Sequence, residues 1–236
     1  MSFKSFDNFL TMGDSDTPFP TLQNPHFALH QPISYNKPMK THLKKYFAEL
    51  LGTFSLSLAV VVAVHAGGPI SVPLVAGLTL GLFVYSLGHM SGAHFNPAVT
   101  LGAWTVGKIK HHDAILYLIA QFIGAGLAMM VAVNSGANIS LIVANTGAIA
   151  LAEIIGTFFF TFGIAAVVFG KTPAQMSGLT IGASLVLGVV VASALGSNGV
   201  LNPAVAMALG SFNLMYLIGP IIGSILGMNV YRIFTE

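Results

Sequence analysis

The sequence predicts an all-α membrane protein in which six transmembrane helices and two re-entrant half-helices form an inverted 3+3 repeat. Three observations lead to this fold class: the composition, the number of long apolar segments and a duplicated set of motifs. Of the 236 residues, 55% are hydrophobic and 7% are charged, whereas about a quarter of a soluble domain is charged. The chain is therefore expected to lie in a lipid bilayer.

Composition and motif content also exclude several functions. A net charge of +2 does not provide the basic surface that binds nucleic acid. The chain has no cysteine, so disulfides, thiol nucleophiles and thiolate metal sites are excluded. The sequence contains no Ser/His/Asp set, phosphate-binding loop or metal-ligand cluster. We therefore expect no catalytic residue, no metal, no cofactor and no enzymatic activity.

The first part of the chain is polar. Residues 1–42 hold five of the eleven prolines and no apolar core, which predicts a disordered or extended, cytoplasmic N-terminal arm without a signal peptide. The membrane domain is predicted at 43–236, with its two repeats at about 43–133 and 147–234.

Six apolar segments are long enough to cross the membrane, because a helix needs about 20 apolar residues to span the hydrocarbon core. The predicted spans are 47–66, 73–90, 114–133, 148–169, 177–195 and 214–234. Two further apolar pieces, 96–104 and 202–210, are too short to cross. Each begins with Asn-Pro-Ala, and Asn at the N-cap followed by Pro at the first position is typical of a helix start.

The basic residues predict the orientation. With six spans, all nine lysines and arginines fall on one side of the membrane, and the connections on the other side carry none. The positive-inside rule therefore places both termini in the cytoplasm.

Two motifs occur twice. "AELLGTF" at 48–54 recurs as "AEIIGTF" at 152–158, and "NPAV" at 96–99 recurs at 202–205. Each half has three spans, an odd number, so the second half enters the membrane from the opposite side and the repeat is inverted. Glu49 and Glu153 occupy equivalent places in it. We expect them to accept backbone N–H bonds from the re-entrant loops, in preference to a proton relay.

The inverted repeat points the starts of the two short helices at each other. Each helix N-terminus carries about half a positive charge, so the pair repels a cation and spares a neutral molecule. The amides of Asn96 and Asn202 can donate hydrogen bonds into the cavity between them. The non-helical stretches before them offer carbonyl acceptors, which we expect at Gly92, Ala93, His94, Phe95, Asn198, Gly199 and Val200. Such a pathway suits water or a small neutral solute.

These motifs closely resemble the aquaporin (major intrinsic protein) family. The resemblance rests on "SGAHFNPAVT" (91–100), the second Asn-Pro-Ala and the paired "AE-x-x-GTF" stretches, and covers about residues 43–234. It implies a homotetramer with one pore per subunit that conducts water or small uncharged solutes. It assigns the pore motifs to Asn96, Pro97, Ala98, Asn202, Pro203 and Ala204.

The sequence departs from the family at the outer constriction. Most members place Arg three residues after the second motif's Asn, where this chain has Val205. The second-span position is Ala76, where water-selective members carry Phe and aquaglyceroporins Trp. The fifth-span position falls at Val189 or Val190, and the loop position is Gly199. The predicted filter is wide and apolar, so water should pass and nothing obvious excludes ammonia, hydrogen peroxide, urea or glycerol.

Two other functions stay open at this point. One is a channel specialised for a single non-water solute, with poor water flux. The other is a tetrameric membrane scaffold or adhesion protein with little conductance. The relative fluxes of water, urea and glycerol distinguish the three.

Overall fold

The structure, a computed structural model, describes residues 41–137, 141 and 144–236. The predicted N-terminal arm, residues 1–42, lies outside this part of the chain except for its last two residues.

The described residues form eight α-helices and one short 3₁₀ helix, Ala174–Met176, with no strand. The α-helices are α1 Thr41–Ala66, α2 Val72–Ser91, α3 Pro97–Thr105, α4 His111–Asn134, α5 Gly147–Val168, α6 Ser177–Ala194, α7 Pro203–Ala208 and α8 Leu214–Thr235. Six of them, all but α3 and α7, are long and apolar enough to cross a membrane. The predicted fold class of six spanning helices with two short ones is confirmed.

The largest boundary difference is at the first helix, which begins six residues before the predicted span. The extra turn is held by an anchor to α4. Lys45 Nζ lies 2.8 Å from Asp113 Oδ2, and the Tyr46 hydroxyl donates to Asp113 Oδ1 at 2.8 Å. The length of an apolar segment matches the thickness of the hydrocarbon core. A polar helical turn that continues beyond the core is therefore not predicted from apolar length.

In each half, a very close helix contact forms at the same position of the repeated motif. A Cβ added to Gly124 in α4 would lie 2.3 Å from the carbonyl oxygen of Leu50 in α1. A Cβ added to Gly223 in α8 would lie 2.3 Å from the carbonyl oxygen of Ile154 in α5. Leu50 and Ile154 are the same position of the duplicated "AE-x-x-GTF" stretch, so the packing repeats as the sequence does. Glycine allows this approach between membrane helices, and it fixes the helices that carry Glu49 and Glu153.

The two halves also meet through glycines, at the crossing of α2 and α6. A Cβ on Gly77 would lie 2.6 Å from the carbonyl oxygen of Gly182, and one on Gly81 would lie 2.8 Å from that of Gly178. These helices are the second span of each half. Their close contact fixes two of the walls of the cavity described below.

Candidate transmembrane pore

Both Asn-Pro-Ala motifs start a helix. Asn96 is the extended N-cap of α3, and its Oδ1 accepts the Ala98 N–H at 2.8 Å. Asn202 caps α7 in the same way, with its Oδ1 accepting from the N–H groups of Ala204 at 3.0 Å and Val205 at 3.3 Å. A proline follows each cap, where no N–H is needed. The acceptor oxygen of each asparagine is thus occupied by its own helix.

The two helix starts are locked to each other by a reciprocal pair of hydrogen bonds. Asn96 Nδ2 donates to the carbonyl of Leu201 at 2.9 Å, and Asn202 Nδ2 donates to the carbonyl of Phe95 at 3.0 Å. A side-chain amide has two N–H groups, so one remains on each asparagine. Both asparagines line the cavity described below, which leaves one N–H donor on each asparagine at the point where the two helix starts meet.

The Phe95 carbonyl, which we expected to face the pore, is bonded to the other half of the chain. Phe95 is fully buried, and its carbonyl accepts the Asn202 amide. Phe95 is also absent from the walls of both cavities. The other residues expected to supply carbonyls, Gly92, Ala93, His94, Asn198, Gly199 and Val200, line one or both cavities.

The loop before α3 is held by Glu49. Its Oε1 accepts from the His94 N–H at 3.0 Å, and its Oε2 accepts from the Phe95 N–H at 2.7 Å. Gln121 Nε2 adds a third donor at 2.8 Å. Ala93 and Phe95 have φ values of 53° and 50°, a left-handed conformation that non-glycine residues rarely adopt. The carboxylate bonds hold this strained turn in place.

Glu153 holds the second loop in the same way. Its Oε1 accepts from the Val200 N–H at 3.0 Å, and its Oε2 accepts from the Leu201 N–H at 2.7 Å. Leu201 has a φ of 54°, matching Phe95 in the first loop. Both glutamates are completely buried, and neither lines a cavity.

Sequence reasoning missed a matched serine and tyrosine in each half. The Ser91 hydroxyl donates to Glu49 Oε1 at 2.6 Å, and the Ser197 hydroxyl donates to Glu153 Oε1. The Tyr117 hydroxyl donates to the carbonyl of Ser91 at 2.7 Å, and the Tyr216 hydroxyl accepts the Asn198 N–H at 3.1 Å. The sequence did contain a signal for the serines, because one stands five residues before the asparagine of each Asn-Pro-Ala motif.

The two halves also differ in the polar side chains that contact the loop glutamate and the motif. In the first half a polar chain continues from Glu49: Gln121 Nε2 donates to Thr100 Oγ1 at 2.9 Å, and His94 Nδ1 lies 3.1 Å from the same oxygen. The motif alignment pairs His94 and Thr100 with Val200 and Ala206, and the Tyr117–Tyr216 pairing matches Gln121 with Pro220. The second half therefore has no equivalent polar chain.

Two cavities lie in the helix bundle and share part of their walls. The first, of about 250 Å³, lies among α1, α2 and α6 and includes Asn96 and Asn202 in its wall. The second, of about 700 Å³, includes Lys108, Lys110 and Asp113. The walls of both cavities share His94, Leu80 and Phe160. The shared residues show that the two cavities are neighbours within the helix bundle.

The predicted filter positions lie at the first cavity, with one correction. Ala76, Val189, Gly199 and Val205 all line it. Val190 does not, because adjacent helical residues point about 100° apart. Val190 is 50% exposed on the outer surface, whereas Val189 is 6% exposed. Val189 is therefore the fifth-span residue at the cavity.

Comparison with known proteins identifies the family. The family described as major intrinsic protein matches residues 36–231. The chain belongs to the major intrinsic protein family. Aquaporin Z of Photorhabdus laumondii is 34% identical over 229 residues, covering 82% of this chain and 99% of that protein. Aquaporin NIP1-1 of Zea mays is 32% identical over 219 residues, covering 81% of this chain and 74% of that protein.

Solved structures agree on the fold. The aquaglyceroporin from Plasmodium falciparum superposes with a TM-score of 0.56 at 22% identity, covering 82% of this chain and 95% of that one. As a member of the major intrinsic protein family, the chain is an integral, multi-pass membrane protein. It is a channel of the class that passes water and small solutes, and it is not an enzyme.

Proposed function

We propose that this major intrinsic protein is a passive channel for water and small uncharged solutes that excludes protons and ions. Ala76, Val189, Gly199 and Val205 form its filter, which is wide and apolar. The observation that carries the proposal is the reciprocal pair of hydrogen bonds between Asn96 and Leu201 and between Asn202 and Phe95, set in the wall of a cavity.

The asparagine pair accounts for the exclusion of cations. Each Oδ1 accepts from the backbone of its own helix, so the N–H groups are the part of each side chain that is free for the lumen. A cation needs acceptors there and finds none on these side chains, while a water molecule can accept both hydrogen bonds. The buried carboxylates Glu49 and Glu153 lie behind the loops and do not line the cavities. Because Val205 adds no charge, proton exclusion rests on the asparagines.

The assembly and orientation are part of the same proposal. The channel is a homotetramer with one pore per subunit and both termini in the cytoplasm. The restriction of lysine and arginine to one side of the six spans supports the orientation.

The test is stopped-flow light scattering on proteoliposomes, with water, urea and glycerol measured for the wild type and for Val205→Arg. We expect the wild type to pass water and urea. Val205→Arg places a large charged side chain in the filter, so solute permeability should fall at least about tenfold, the effect of 1.4 kcal/mol. Val190→Thr, on the outer surface, is the control. Wild-type flux of water alone, unaltered by Val205→Arg, would contradict the wide filter, and no flux in either protein would favour a scaffold.

A further inference from the structure

The first cavity has an aliphatic wall with a regular construction. Each of three helices contributes three residues spaced four apart, or about 6 Å along the helix axis. The nine positions are Leu56, Val60 and Val64 on α1, Val72, Ala76 and Leu80 on α2, and Leu185, Val189 and Ser193 on α6. Eight of the nine are aliphatic. The ninth, Ser193, is exposed at the mouth.

Hydrogen-bond donors are confined to the two ends of this cavity. Among the described residues of its wall, the side-chain donors are Ser193 and Asn198, both exposed, and Asn96, Asn202 and His94 at the inner end. The backbone stretch 198–201 is the other possible source of donors, because Asn198, Gly199 and Val200 line the cavity between these two ends.

Those backbone donors are already used. The N–H of Asn198 donates to the Tyr216 hydroxyl, and that of Gly199 to Ser197 Oγ. The N–H groups of Val200 and Leu201 donate to Glu153. Between the mouth and the asparagines the described wall thus has no free donor. It consists of hydrocarbon and of Asn198, Gly199 and Val200, whose backbone, with its N–H groups used, can offer only carbonyl acceptors.

Such a wall discriminates between neutral solutes by their surface. A solute that donates from one end and carries hydrocarbon at the other satisfies both parts of the wall. A solute with polar groups all round leaves groups unpaired against aliphatic side chains, and an unpaired polar group in a dry site is penalised. The loop residue Leu141 adds to the apolar part, because it lines the cavity and donates its N–H to the carbonyl of Leu209.

We infer that the preferred solutes of this channel, beyond water, are small neutral amphiphiles with one hydrogen-bonding end and a short hydrocarbon end, selected over fully polar solutes by the aliphatic, donor-free wall of the first cavity. The inference rests on the proposed channel function. Acetamide and urea are the sharpest probes, because they have nearly the same size and differ by a methyl group in place of an amino group.

The experiment measures acetamide, urea, glycerol and water permeability of proteoliposomes, with protein-free vesicles subtracted for passage through lipid. We expect the channel to pass acetamide about tenfold faster than urea, the effect of one unpaired polar group of about 1.4 kcal/mol. Glycerol should be slower still. Urea permeability equal to or above that of acetamide would overturn the inference.

A matched pair of variants tests whether the wall of the first cavity is the part of the protein that selects between solutes. Val189→Asn places two amide donors in the wall, and Val190→Asn places the same group on the outer surface one residue away. The acetamide-to-urea ratio should fall several-fold in V189N and stay unchanged in V190N. Equal shifts in both variants would overturn the inference. Water flux shows which proposal fails. If the protein conducts water but does not prefer acetamide, this inference alone is contradicted. If it conducts nothing, the proposed channel function is contradicted.

Discussion

Two buried glutamates show how single residues shape this protein. A carboxylate inside a membrane helix is unfavourable unless its oxygens are satisfied. Glu49 and Glu153 each gain backbone donors from a loop that has no helical hydrogen bonds of its own. The loop N–H groups therefore gain acceptors and the carboxylate gains donors. These bonds also fix the position of the asparagine that follows each loop.

The first prediction concerns Glu153→Ala. This change leaves the N–H groups of Val200 and Leu201 and the Ser197 hydroxyl without their acceptor. A buried unsatisfied donor is destabilising by about 1–3 kcal/mol, so the variant should unfold at a lower temperature in detergent and conduct water more slowly in proteoliposomes.

Thr157→Val is its matched control. Thr157 lies one turn along the same helix, is completely buried, and its hydroxyl has no hydrogen-bond partner among the described residues. Loss of that hydroxyl should leave both measurements unchanged. Equal losses in the two variants would contradict the supporting role of Glu153.

At the scale of elements, glycines decide which helices touch. Gly124 and Gly126 lie on the same helix, α4, yet only Gly124 meets neighbouring backbone within 3 Å. The nearest atom to a Cβ on Gly126 is the terminal methyl of Met207 at 3.7 Å, an ordinary contact. The contact between α1 and α4 thus depends on one of the two glycines.

The second prediction uses this pair. Gly124→Ala should lower the thermal stability in detergent, because its Cβ would overlap the Leu50 carbonyl. Gly126→Ala should leave stability unchanged or raise it slightly, since alanine favours a helix over glycine by about 1 kcal/mol. A Gly126→Ala variant as unstable as Gly124→Ala would show that the close approach is not what matters.

Sequence reasoning recovered the elements better than their partners. The spans and the two short helices follow from apolar length and from Asn-Pro-Ala, which are local signals. The serines Ser91 and Ser197 and the tyrosines Tyr117 and Tyr216 were missed because their role depends on which loop reaches which helix. The choice between Val189 and Val190 depends on how α6 is rotated about its own axis, and counting residues along the connecting loop does not give that rotation. Phe95 was expected at the pore because it lies in the non-helical stretch before Asn96. Its bond from Asn202 joins residues in different halves, so the local sequence does not show it.

At the scale of the whole molecule, the nine basic residues and the six spans fix a proposed orientation. Ser135 lies in the connection after α4, and Ala174 lies in the connection after α5. Both are exposed, and the two connections lie on opposite sides of the membrane because one spanning helix separates them.

The third prediction tests that orientation. Because the chain has no cysteine, Ser135→Cys and Ala174→Cys each introduce a single thiol. A membrane-impermeant maleimide should label S135C in intact cells and label A174C only after permeabilisation. The reverse pattern would contradict cytoplasmic termini.

The asparagine pair has one more consequence, for how the pore comes into being. Each half donates one asparagine amide to a carbonyl of the other half. The contact therefore has the reciprocity of a two-fold symmetric dimer interface, although it lies within a single chain. The proposed barrier to cations is therefore not a property of either half. It exists only once the second half has been synthesised, inserted and docked against the first.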